Sequence, residues 1–259
     1  MKISIITICY NNLKDLQETC LSIDLQNESP FEHIVIDGSN NDEISNWLKT
    51  KPQQSYRTSI SEKDHGIADA FNKGIKKSKG DIIQLLNSGD VFYNEKALGM
   101  VRMEFEKNNK TEWVHGKYEY YRSSNWIIIG KPFKENLLYR GMRSICHQTM
   151  FVKKEIYDKY GLYDTNISIA MDYDFICRIS RTKAIFIDYP LIKMKPEGIS
   201  NLNYIASLNE ISKIYKKYKG HSFLHLLWKI RLKLIYYILK CDLGKILYNI
   251  KHKLGLENA

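Results

Sequence analysis

Three carboxylates stand where a folded chain offers polar groups to a ligand. Asp37 follows the buried-type run His33-Ile34-Val35-Ile36, Asp90 closes the turn Asn87-Ser88-Gly89-Asp90, and Asp172 opens a helical pattern in Ala170-Met171-Asp172-Tyr173-Asp174-Phe175. Asp37 suits hydrogen bonds from a nucleobase or ribose, or simply closes a turn. A hard divalent cation shared with a diphosphate needs only one or two protein carboxylates, so Asp90 suffices for one; the competing reading is an N-cap for the helical stretch that follows. A carboxylate at a cleft-facing helix start can take the proton of an attacking hydroxyl, the chemistry open to Asp172. Asp174, two residues on, points to another face, and plain charge complementarity with the helix N-terminus is the alternative for both. His147-Gln148 is the most cleft-like polar pair of the second half, and a satisfied structural histidine is its competitor, as it is for His115.

These residues need elements to position them. In the stretch from Ser61 to Asp90, Ala68, Phe71 and Ile75 fall at helical spacing, Lys73, Lys76, Lys77 and Lys79 suit a helix C-terminus, and Gly80 sits where a C′ glycine belongs. Asp81 to Leu86 then reads as a short apolar strand with the Asn87 to Asp90 turn beyond its carboxyl end. Upstream, strands over Lys2 to Tyr10, Phe31 to Asp37 and Arg57 to Ser61 alternate with helices over Leu13 to Leu25 and Asp42 to Lys49. Such alternation implies βαβ crossovers and a mainly parallel sheet, whose ligands bind at the carboxyl ends of the strands. Tyr10-Asn11-Asn12, Asp37-Gly38-Ser39, Glu62 to Gly66 and Asn87 to Asp90 converge there. From Glu112 to Ile129 the pattern turns β-rich and aromatic and predicts extra strands or a hairpin rather than another βαβ unit, in a half that faces the acceptor. Gln148 to Val152 reads as a strand, Lys154 to Tyr160 and Met171 to Ser180 as helices, and Lys183 to Asp188 as the strand that closes the body.

At 259 residues and 44% hydrophobic, the chain can bury one large core with an appendage. Its five cysteines include no C-x-x-C pair, which points away from a disulfide framework or zinc site and toward a reducing cytosol. The opening MKISIITICY reads as a buried strand, not a signal peptide. The formal charge of +10 is concentrated at one end: residues 204 to 259 hold eleven Lys and Arg against Glu210, Asp242 and Glu257. A catalytic body over 1–201 and a basic helical tail over 202–259 is the expected division, and the near-neutral body argues against nucleic acid as a partner. Within the tail, Ser222 to Lys240 places His225, Lys229, Lys233 and Lys240 near one stripe, with Phe223, Leu226, Leu227, Ile230, Leu234 and Ile238 over much of the rest. That pattern suits a helix lying in the headgroup region of an anionic membrane, or one packed on the body or a second subunit; Lys229 to Leu234 also permits a strand. Leu243, Ile246, Leu247, Ile250 and Leu254 make a second apolar stripe.

In this order the residues resemble the inverting family 2 glycosyltransferases of GT-A fold, specifically those of bacterial surface-polysaccharide assembly. The resemblance spans about residues 1 to 200. It rests on Ile5 to Asn11, Val35 to Ser39, Ser61 to Gly74, Leu86 to Asp90, His147-Gln148 and Met171 to Asp174, the third block being the most specific. It implies an α/β sheet flanked by helices, a donor pocket lined by Thr7, Tyr10, Asp37, Asp64, Asp69, Asn72, Asn87 and Gly89, Mg²⁺ or Mn²⁺ on Asp90, Asp172 as general base, and acceptor contacts from His147 and Gln148. Two departures stand out: the metal motif has a single Asp, and the usual Glu-Asp pair reads Met171-Asp172. The implied function is transfer of a sugar from a nucleotide diphosphate to a glycan or lipid-linked glycan acceptor in O-antigen, capsule or exopolysaccharide assembly, at the cytoplasmic membrane face. The alternatives are a non-catalytic membrane-associated nucleotide-sugar binding module and a sugar-phosphate nucleotidyltransferase, which would want a Gly-rich basic loop where Tyr10-Asn11-Asn12 stands. Truncation near Asn201 is expected to spare transfer to a soluble acceptor, and a homodimer stays open.

Overall fold

The computed structural model describes residues 1–50, 53–122, 125–142, 145–194 and 203–240. The first half is the expected alternation: β1 (Ile3–Cys9), α1 (Leu13–Asp24), β2 (Glu32–Asp37), α2 (Glu43–Thr50), β3 (Arg57–Ser61), α3 (Ile67–Lys77) and β4 (Ile82–Asn87). Apart from Ile8, which is half-buried, β1 is buried along its whole length, as a strand covered on both faces must be. In α1 the buried Leu16, Thr19, Cys20 and Ile23 recur at helical spacing and turn one stripe to the sheet. One boundary differs: α3 stops at Lys77 with the extended Ser78 as its cap, so Gly80 is not a C′ residue. Gly80 instead donates its N–H to Ser4 Oγ at 2.9 Å.

The second half supplies β5 (Val91–Phe92), α4 (Ala97–Lys107), β6 (Trp113–Arg122), β7 (Asn125–Ile129), β8 (Phe151–Lys153), α5 (Lys154–Tyr160), α6 (Met171–Ile179) and β9 (Ala184–Met194). The expected hairpin is present as β6 and β7, paired antiparallel from Tyr118 with Ile129 to Arg122 with Asn125. Residues His147–Thr149 form a 3-10 turn rather than the start of a strand, because Thr149 and Met150 bond back to Cys146 and His147. Asp90 leads into β5 while the N-cap of α4 is Lys96, which removes the capping reading of Asp90.

The sheet runs β3-β2-β1-β4-β8-β6-β9-β5, with β7 on the outer part of β6. β3, β2, β1 and β4 are parallel, and β8 runs antiparallel to its neighbours β4 and β6. The chain winds outward from β1 to β3 and then returns to β4 on the other side of β1, so the crevice at the carboxyl ends of β1 and β4 is a topological switch point. One core lies between the sheet and α3, α5 and α6, around Phe71, Trp113, Tyr173 and Phe175. A second lies on the opposite face, around Ile5, Phe105, Val114 and Phe151.

Two helices follow, α7 (Tyr204–Lys219) and α8 (Phe223–Lys240). The expected division near residue 201 does not set α7 apart, since its Ile214 is buried in the first core. Lys229 to Leu234 is helical, which settles the strand ambiguity. The second apolar stripe, Leu243 to Leu254, falls outside the described residues. Cys9, Cys20, Cys146 and Cys177 are free and buried.

Candidate active site

The parallel strands end level with one another: Cys9 pairs with Asp37, Asp37 with Ser61, and Ile8 with Asn87. The loops beyond these ends are stitched together. Asn11 adopts a left-handed conformation (φ 53°), which Asn tolerates better than most residues. Its N–H donates to Ser39 Oγ at 2.9 Å and its side-chain oxygen accepts from Asn41 Nδ2 at 3.1 Å. Asn12 Nδ2 donates to Ser88 Oγ, tying the first loop to the turn after β4. The sequence gathers Asn11, Asn12, Ser39 and Ser88 at this edge as members of polar loops, without showing that they bond the loops to one another. Tyr10 stands out from this rim, 61% exposed.

On the β2 and β3 side, Asp37 is buried, with its carboxylate accepting from Ser39 N and Ser61 Oγ, each at 3.1 Å. Burial, with the Asp37 charge next, pushes the neighbouring Cys9 thiol well up, so it stays protonated. The Asp64 carboxylate lies directly over Gly38, where a Cβ would fall 2.1 Å from Asp64 Oδ2. Lys73 on α3 gathers Asp64 at 2.8 Å, Glu62 at 3.1 Å and Asp69 at 3.4 Å. Asp69 also accepts the His65 N–H at 3.0 Å, and that bond is the main reason its carboxyl titrates below the usual range. Asp37, Asp64 and Asp69 are thus brought to one edge.

Thr7 and Asn72 are not. Thr7 is fully buried within β1, its hydroxyl 2.9 Å from His33 Nε2. Arg57 Nε donates to His33 Nδ1, which leaves His33 Nε2 as the donor to Thr7. Asn72 spends its amide on the backbone of Tyr163, giving Nδ2 to its carbonyl at 2.9 Å and receiving its N–H at 3.0 Å.

At the switch point, Gly89 takes a φ of 97° and donates its N–H to Thr19 Oγ1, which pins the turn to α1. Asp90 is 4% exposed; its Oδ2 accepts Gln148 Nε2 at 2.9 Å and Asn87 Nδ2 at 3.3 Å. Among the described residues no three His, Cys, Asp or Glu side chains cluster as a metal cage. A single hard-oxygen carboxylate fits Mg²⁺ or Mn²⁺ only where a diphosphate and water complete the shell.

The 3-10 turn joins this carboxylate to the third. Gln148 holds Asp90, accepts the Cys146 thiol at 2.7 Å through Oε1, and has its carbonyl bound by Gln84 of β4. Beside it, His147 Nδ1 lies 3.6 Å from Asp172 Oδ2, while its Nε2 is buried with no hydrogen-bond partner. The imidazole packs edge-on against Phe71. Asp172 Oδ1 accepts the Tyr173 N–H at 2.7 Å, leaving Oδ2 toward His147 on a part-exposed side chain. Asp174 faces inward, bound by Arg178 and Tyr218, each at 2.9 Å. Of the pair, only Asp172 is available to a substrate.

Comparison with known proteins matches residues 4–161 to the family model described as glycosyl transferase family 2. An uncharacterized glycosyltransferase of Mycobacterium tuberculosis is 33% identical over 183 residues, covering 68% of this chain and 68% of that protein. A PGL/p-HBAD biosynthesis glycosyltransferase of Mycobacterium bovis is 28% identical over 183 residues, covering 69% and 70%. Among solved structures, S. aureus TarS 1-349 superposes with a TM-score of 0.62 at 15% identity, covering 85% of this chain and 66% of that one. The mannosyltransferase PcManGT from Pyrobaculum calidifontis, in complex with GDP-Man and Mn²⁺, gives 0.65 at 15% identity, covering 99% and 81%. At that identity these two neighbours speak for the fold, which is the GT-A arrangement expected of the sequence.

Proposed function

The chain belongs to glycosyl transferase family 2, and on that premise we propose that it moves a sugar, with inversion, from a nucleoside diphosphate to a lipid-linked glycan acceptor in bacterial surface-polysaccharide assembly. The observation that carries this reading is the His147-Gln148 pair, whose adjacent side chains reach Asp172 at 3.6 Å and Asp90 at 2.9 Å and so link the two carboxylates through one short turn. Tyr10, Asp37, Asp64, Asp69, Asn87 and Gly89 would bind the nucleotide along the strand ends. Asp172 takes the proton of the acceptor hydroxyl as its oxygen attacks the anomeric carbon; the bond to the diphosphate oxygen breaks and the diphosphate leaves with the electron pair. When bound, Mg²⁺ or Mn²⁺ at Asp90 supplies positive charge against the departing diphosphate. Gln148, bonded to Asp90, and His147, beside Asp172, would orient the two carboxylates as well as meet the acceptor. The complexes of PcManGT with GDP-Man and Mn²⁺ and of TarS with UDP-GlcNAc support a nucleotide-sugar donor and a divalent cation.

A cytoplasmic site on the inner membrane face is part of the same proposal, and α8 supports it. His225, grouped in the sequence with the lysines of a polar stripe, turns inward to Tyr139 O and Ser212 Oγ, while Phe223, Leu224, Leu227, Leu234 and Ile238 face outward. An apolar face turned away from the body, on a helix that also carries Lys229, Arg231, Lys233 and Lys240, fits an anionic lipid surface. Among the described residues no helix is long and apolar enough to cross a membrane.

The test is the melting temperature with UDP, GDP and dTDP, each with and without Mn²⁺. One nucleotide at about 100 times its Kd should add roughly 2.7 kcal/mol of stability, in a Mn²⁺-dependent way that Asp90→Asn removes. No shift with any of the three would sink the donor site.

A further inference from the structure

We infer that Glu210, on α7, is a positioning residue for Asp172. Its Oε2 accepts the backbone N–H groups of Ile169 and Ala170, each at 2.9 Å, and its Oε1 accepts that of Ser168 at 3.3 Å. Three successive amides therefore converge on one carboxylate immediately before the helix that carries Asp172. That helix, α6, begins after Ala170, a residue with no side chain to cap it, and has no side-chain cap of its own. Glu210 provides from another element both the acceptor and the negative charge that a helix N-terminus favours.

The same element grips α6 further along. Tyr218 and Lys217 reach Asp174, at 2.9 and 3.5 Å, and Lys219 bonds Glu135 beside Ser180. Loss of Glu210 alone should leave α6 folded, because these later contacts remain, while releasing the turn that sets Asp172. The carboxylate of Asp172 lies two residues beyond Ala170, so movement of that turn carries it directly. A displacement of about 1 Å at a reacting group can cost about 100-fold in rate.

The inference rests on Asp172 as the base, and the experiment separates the two. Full-length wild type, Glu210→Ala, Glu210→Gln and Asp172→Asn are assayed for nucleoside diphosphate release from UDP-glucose, UDP-N-acetylglucosamine, GDP-mannose and dTDP-rhamnose with Mn²⁺, water serving as acceptor. Glu210→Ala should lower kcat by about tenfold or more with the donor KM and melting temperature nearly unchanged. Glu210→Gln should fall between it and wild type, since one amide oxygen can keep both 2.9 Å bonds. Wild-type kcat in Glu210→Ala would overturn the inference, as would a loss of kcat that tracks a lower melting temperature and a weaker donor KM. Full kcat in Asp172→Asn would overturn the base assignment instead.

Discussion

Two residues of spacing divide the roles of Asp172 and Asp174. The first is part-exposed and keeps one oxygen toward His147, and the second is committed to Arg178 and Tyr218 in the interior. Asp172→Asn should therefore reduce transfer by about 10² to 10⁴-fold while leaving the Mn²⁺-dependent nucleotide shift intact, read by donor turnover and melting temperature. Gly38→Ala should do the reverse: its added methyl meets Asp64, so nucleotide binding weakens, and calorimetric titration with the preferred nucleotide checks it. The sequence marked Asp37, Asp90 and Asp172 because each follows a strand or opens a helix, and ends of elements are readable from periodicity. It drew Thr7 and Asn72 toward the donor, but both face the interior, where Thr7 answers to His33 and Asn72 to Tyr163. Which side of an element a polar residue serves depends on partners far along the chain, and Asn72 and Tyr163 are 91 positions apart.

At the scale of elements, Asn72 fastens α3 to the loop before α6, and Arg178 fastens that loop again through the carbonyls of Gly161 and Leu162. Asn72→Ala leaves a buried N–H and a buried carbonyl without partners, so it should cost about 2 to 4 kcal/mol in denaturant unfolding. The parallel half was legible nearly strand by strand, since each βαβ unit is written in local hydrophobic period. In the other half the hairpin, α5, α6 and β9 were legible but their pairing was not, because β6 lies between β8 and β9 and both partners arrive later in the chain. How the tail packs was not legible for the same reason. Composition set it apart, yet α7 contributes Glu210, Lys217, Tyr218 and Lys219 to the fixing of α6. Truncation near residue 201 is accordingly expected to abolish transfer even to a soluble acceptor, contrary to what composition suggested. Donor turnover by the truncated chain decides it.

For the molecule as a whole, pH bears on stability through its buried histidines, His33 and His115 foremost. Burial lowers His115 to about 4 and lowers His33 well below its ordinary value. Both are neutral at pH 7, and as pH falls through about 6.5 the unfolded chain binds protons that the folded one refuses. Stability should fall between about pH 6.5 and 4, by roughly 3 kcal/mol for His115 alone, and His115→Gln should flatten that slope in urea titrations. At the membrane, vesicles of anionic lipid should retain the protein in sedimentation and neutral ones should not, while Leu227→Asp with Leu234→Asp should release it, because both side chains lie on the outward face of α8. The brace on α6 has a further consequence for how the protein is made. Synthesis runs from the N-terminus, and the strand-end loops with Asp37, Asp64 and Asp90 can form while the last quarter of the chain is still inside the ribosome. Asp172 acquires its support only after Glu210 and Tyr218 have emerged, so on the proposed assignments a nascent chain would hold a nucleotide before it could transfer the sugar.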